Sequence, residues 1–100
     1  MAWYEIERII MNRHNHKQKL KDIGRYSLNN KTAIGKSEVC GCYYCCRTFM
    51  PLEIIEWIDS NNTALCPRCG IDSVLPSYIT GIDTITDSEF LNDMHEYWFV

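Results

Sequence analysis

The sequence predicts a small α+β domain: short strands around two cysteine turns, two core helices, and a helical extension at the N-terminus. Three observations predict it. The chain has 100 residues and 46% hydrophobic content, which suits one modest core and is too apolar for a disordered chain. Its six cysteines include two Cys-x-x-Cys turns, Cys42–Cys45 and Cys66–Cys69. Apolar residues recur at helical spacing toward both ends, while β-forming residues flank the second cysteine turn.

The elements follow in chain order. Residues 2–22 predict a helix, with Trp3, Ile6, Ile10 and Leu20 near helical spacing and Gly24 as its stop. The polar stretch from Asn12 to His16 divides it into two pieces. "SLNNKTAIGKSE", residues 27–38, has loop composition and separates an extension, 1–38, from a cysteine-bearing core, 39–100. In "FMPLEIIEWIDSNN", Pro51 suits a first helical turn, and Leu52, Ile55 and Ile58 make an apolar stripe that ends before Asn61. "TALC" and "IDSVLP" read as short strands entering and leaving the second cysteine turn. Last, Thr86 and Glu89 have capping-box spacing ahead of a helix whose apolar face is Phe90, Leu91, Met94 and Trp98. Trp57 and Trp98 would then close two similar halves, each a cysteine turn followed by a helix.

The cysteine spacing points to a metal. Two Cys-x-x-Cys turns present two thiolates each, which suits the tetrahedral shell of zinc. The interval from Cys45 to Cys66 lies at the edge of the range typical for four-cysteine sites. We expect one structural Zn2+ on Cys42, Cys45, Cys66 and Cys69. Cys40 is the alternative to Cys42 through a longer spacer, and Cys46 is expected to pack or stay free. Free or disulfide-bonded cysteines are the competing reading. Four thiolates leave no open position for water, so catalysis at the metal is not expected.

No stretch approaches a membrane span of about 20 apolar residues, and charges interrupt the N-terminus throughout. The expected location is the cytoplasm, where thiols stay reduced and paired cysteines favour zinc. Net charge is −3, unevenly spread. Residues 1–48 hold nine Lys or Arg against four Asp or Glu, and residues 49–100 hold one against nine. Such asymmetry suits either internal complementarity or a basic binding face. Arg13, Lys17, Lys19 and Lys21 are the candidate nucleic-acid contacts, with Trp3, Tyr4 and Tyr26 as stacking residues. A pI of about 5.5 argues against a dedicated nucleic-acid binder.

His14 and His16 sit two apart in a predicted helix and face different directions, so "HNH" is read as accidental. Asp72, Asp83, Asp87 and Asp93 are scattered, and no phosphate loop or nucleophile motif is present. No catalytic residue and no small-molecule substrate is therefore expected.

From Cys40 onward, "CGCYYC", Phe49, "EIIEWID", "TALCPRCGIDSVLP" and "EFLNDMHEYWF" resemble a group of short bacterial cytoplasmic proteins of zinc-ribbon type. The resemblance covers roughly 60% of the chain, is strongest in "LCPRCGIDSV", and does not extend to Cys46 or the N-terminal third. It implies a cytoplasmic zinc-binding domain and supplies no activity. The expectation is a non-enzymatic module that recognises another protein; the alternative is a nucleic-acid-binding zinc ribbon using the basic N-terminal helix.

Overall fold

A computed structural model describes residues 13–100, with side chains from residue 16 onward. The first part of the expected 2–22 helix, with Trp3, Ile6 and Ile10, lies outside the described residues, as do the side chains of Arg13 and His14. The fold is α+β, with five helices and two small antiparallel sheets among the described residues.

Helix α1, Arg13–Gly24, leads through a 3-10 turn at Arg25–Ser27 into a short helix α2, Lys31–Gly35. Strands β1 (Cys40–Cys42) and β2 (Arg47–Phe49) form a hairpin around the first cysteine turn. Strands β3 (Trp57–Ile58) and β4 (Thr63–Ala64) form a second hairpin, and β5 (Val74–Pro76) follows the second cysteine turn. Three helices complete the chain: α3 (Ser77–Thr80), α4 (Ile82–Ile85) and α5 (Ser88–Phe99).

Strand β1 is central in the order β2-β1-β5, with Cys40 opposite Phe49 and Pro76, and Cys42 opposite Arg47 and Val74. Because side chains alternate along a strand, Cys40 and Cys42 share one face and Gly41 takes the other. Each face is covered by its own core. Leu20, Tyr43, Leu75, Ile85, Phe90, Leu91 and Met94 form the helical core, which thus joins α1 to residues beyond 39. Ile34, Cys40, Cys42, Phe49, Ile54, Ala64, Cys66 and Val74 form the other. A Cβ on Gly41 would lie 2.9 Å from Ile85 Cγ1, so the helical core presses directly on the strand backbone.

Asn30 ties the N-terminal segment to both sheets. Its Nδ2 donates to Val74 O (2.9 Å) and Tyr26 O (3.2 Å), and its Oδ1 accepts from Ala64 N–H (3.2 Å). The carboxamide satisfies an edge of β4 and an edge of β5 at once, as a further strand would.

The predicted helix over Leu52–Ile58 does not form. Pro51–Glu53 make a single 3-10 turn, closed by Glu53 N–H to Met50 O (3.0 Å) and by Met50 N–H to Glu53 Oε2 (2.7 Å). The chain then extends at Ile54, which is buried, and the supposed stripe residues Leu52, Ile55 and Ile58 are all exposed. β-branched isoleucines and a tryptophan favour the extended form, and pairing with β4 gives it hydrogen bonds. Trp57 therefore lies in a strand and Trp98 in a helix, so they do not close equivalent halves. The last helix starts one residue later than expected. Asp87 is its N-cap, accepting from Glu89 N–H at 2.9 Å, while the Thr86 hydroxyl donates to Ile82 O.

Candidate metal centre

Hairpin β1–β2 carries Cys42 and Cys45, and the turn between β4 and β5 carries Cys66 and Cys69. The four sulfurs all lie within 4.8 Å of one another. Cys42 Sγ stands 3.7 Å from Cys69 Sγ, and Cys45 Sγ stands 3.8 Å from Cys66 Sγ. A disulfide would need about 2.05 Å, and all six cysteines are free thiols. Sulfurs about 2.3 Å from a tetrahedral ion stand about 3.8 Å apart, which these two distances match, so the set could hold a metal ion. Cys40 is not part of the cluster. It is fully buried beside Phe49 and Pro76, where burial pushes its thiol up to about 12.

The two turns repeat one hydrogen-bond pattern. Cys42 accepts from the N–H groups of Tyr44 (3.3 Å) and Cys45, and Cys45 accepts from Arg47 N–H. In the same way, Cys66 accepts from Arg68 (3.3 Å) and Cys69, and Cys69 accepts from Ile71 N–H. Curling the chain beneath its sulfurs requires a left-handed residue after each pair. Gly70 supplies it at φ 81° in the second turn, and Cys46 occupies the same slot at φ 59° in the first. The surplus cysteine thus stands where glycine would be easiest, its half-buried side chain packed against the helical core.

These amides weigh against desolvation. Burial pushes the metal-free thiols of Cys42 and Cys45 up to about 11. Burial raises Cys69 as well. At Cys66 burial also opposes ionisation, but the N–H groups of Arg68 and Cys69 with the neighbouring thiols outweigh it and lower the value. A cation among the four sulfurs reverses the balance, because it deprotonates coordinating thiols outright.

Residues beyond the cysteines brace the centre. The Ser73 hydroxyl lies 3.0 Å from Cys42 Sγ and is buried, and Arg68 pairs with Glu53 of the 3-10 turn. An aromatic group covers the first turn: Phe99 stacks edge-on against Tyr44 at 4.9 Å and near Tyr43 at 5.8 Å. His95 Nδ1 sits 3.2 Å from Tyr43 O with its ring against Tyr44, so it supports the turn from outside and is not among the clustered ligands. Neither Ser73 nor His95 has a motif that marks it in sequence; a serine placed four residues after the last ligand was the only available hint.

No protein-family model, curated protein or solved structure matches this chain. Its chemistry therefore has to be read from its own side chains.

The basic candidates lie apart from one another in character. Lys17 and Lys21 are exposed on one face of α1, one turn apart, whereas Lys19 is half-buried. His16 faces Asp93 of α5 at 3.5 Å, which couples the first and last described helices. Trp98, on the same helix end, donates its indole N–H to Leu20 O at 3.3 Å and covers Gly24, where a Cβ would lie 2.3 Å from its ring. No described helix is long and apolar enough to cross a membrane.

Proposed function

We infer that the chain is a non-enzymatic module of zinc-ribbon type, held by one structural Zn2+, that recognises another protein in the cytoplasm. The observation that carries the reading is the cluster of four free thiols within 4.8 Å of one another, with cross-turn pairs at 3.7 and 3.8 Å. Soft sulfur ligands in a tetrahedron suit zinc or iron, and a full shell of four thiolates leaves no place for a substrate or water. Cys42, Cys45, Cys66 and Cys69 would hold the ion, which supplies charge to keep the thiolates ionised and a crosslink between two sheets. A reducing compartment suits thiols that must stay free of disulfides.

Recognition of a protein is supported by apolar side chains that the fold leaves in water, among them Met50, Leu52, Ile55 and Ile58. Native mass spectrometry tests the metal: one zinc per chain is expected, and Cys66→Ser should lose both metal and fold. A folded, metal-free native chain overturns the reading, and visible absorption from a thiolate–iron site replaces zinc by iron. A salt-sensitive shift of DNA or RNA, lost when Lys17, Lys19 and Lys21 are neutralised, would replace protein recognition by nucleic-acid binding.

A further inference from the structure

Two of the three most exposed large apolar side chains lie in one stretch, Leu52 at 92% and Ile55 at 81%, with Met50 and Ile58 exposed beside them. The same stretch contains a free strand edge. Leu65 N–H donates to Glu56 O (3.0 Å) and Asn62 N–H to Ile58 O (2.9 Å), so the carbonyls of Glu56 and Ile58 face β4. Backbone groups alternate sides along an antiparallel strand, so Ile55 and Trp57 direct theirs away from β4. Among the described residues, the two-stranded sheet ends there.

The other free edge, on β2, exposes Arg47 and Thr48, a charged and polar rim of the kind that discourages pairing. The β3 edge carries isoleucines instead. The segment's own charges have one sign: residues 49–64 hold Glu53, Glu56 and Asp59 and no Lys or Arg. Glu53 is engaged by Arg68, whereas Glu56 and Asp59 are exposed. Lys31 Nζ stands over the Trp57 ring at 5.1 Å.

We propose that the outer edge of β3 docks an extended segment of a partner protein in which apolar residues alternate with Lys or Arg. Main-chain bonds to Ile55 and Trp57 would add the segment as a third strand, Ile55 and Leu52 would meet its apolar side chains, and Glu56 and Asp59 its cations. The proposal rests on the protein-recognition reading and names the chemistry of the partner.

The test uses the full, zinc-loaded chain labelled with nitrogen-15 and a blocked seven-residue peptide alternating valine and lysine. Amide shifts should concentrate on Ile55–Ile58 and saturate at about millimolar peptide or below. Hydrogen exchange at Ile55 and Trp57 should slow on adding peptide. A valine–glutamate peptide should bind about tenfold more weakly or worse, and Glu56→Lys should cost about the same factor with zinc content unchanged. Equal response to both peptides, or none, overturns the proposal. So does protection of these amides before peptide is added: at every dilution it means the chain covers its own edge, and rising with concentration it means a second copy does. Failure with zinc bound and the fold intact removes this edge alone; failure to bind zinc removes the module reading.

Discussion

Replacing Asn30 by alanine tests how the N-terminal segment is joined to the cysteine-bearing sheets. Asn30 is 3% exposed, and its side chain is hydrogen-bonded to the backbones of Val74 and Ala64, both fully buried. Asn30→Ala leaves one carbonyl and one amide buried without these partners. Each such orphan costs about 1–3 kcal/mol, so a loss of about 3 kcal/mol is expected. A domain of this size is stable by about 5–15 kcal/mol, and each kcal/mol moves its melting temperature by about 4–8 °C. The variant should therefore melt about 12–24 °C lower, measured by circular dichroism at fixed zinc and protein concentration, since a bound metal would shift the midpoint. Asn30→Asp sharpens the test. It keeps an acceptor for Ala64 but sets a carboxylate against Val74 O, so it should be no better at neutral pH and should recover in part when acid protonates it. A fall of less than about 4 °C for Asn30→Ala would refute the clamp.

Gly70→Ala should cost about 1 kcal/mol in urea unfolding: φ is +81°, and no atom lies within 4 Å of the added Cβ, so only backbone strain opposes it. A loss above about 3 kcal/mol would mean that the open space is misread. Gly24→Ala must push the Trp98 indole off Leu20 O, costing about 1–3 kcal/mol, with a red-shifted emission when Trp98 is the sole tryptophan; unchanged emission counts against the contact. Cys40 titrates at about 12 when folded against 9.0 as its ordinary value. The unfolded thiol thus ionises first, and the stability its burial contributes is present below pH 9 and lost as pH rises through 12. Cys40→Ala should flatten the alkaline fall in melting temperature, and parallel curves would contradict this.

Much of the metal centre was legible because spacing is a covalent property. Two-residue spacers allow only one register of thiolates, and the pairing of Cys42–Cys45 with Cys66–Cys69 survives folding. The strands at Thr63–Ala64 and Val74–Pro76 were legible because β-forming residues flank the second cysteine turn, although they pair with β3 and β1 and not with each other. The 51–58 stretch misled because Leu52, Ile55 and Ile58 have helical spacing but do not face the core. Spacing reports which residues share a face; it does not report whether that face is buried. Asn30 was invisible for another reason: in a loop-like string an asparagine reads as a turn former, and its bonds reach Ala64 and Val74, 34 and 44 residues away. Short helices such as Lys31–Gly35 lack the length that would give periodicity, and they exist because Ile34 is drawn into the core.

The repeated hydrogen-bond pattern gives the four sulfurs unequal fates. Cys42 and Cys66, the first of each pair, are buried and accept from two amides apiece, and the Ser73 hydroxyl lies against Cys42 as well. Cys45 and Cys69 are half-exposed and accept from one amide apiece. With a metal holding all four as thiolates, access decides the order, so oxidants and alkylating reagents should meet the more exposed Cys45 and Cys69 first. The centre has an inner and an outer side, and damage or metal loss would begin from the outer one, leaving the thiols against the core to hold the sheets together last.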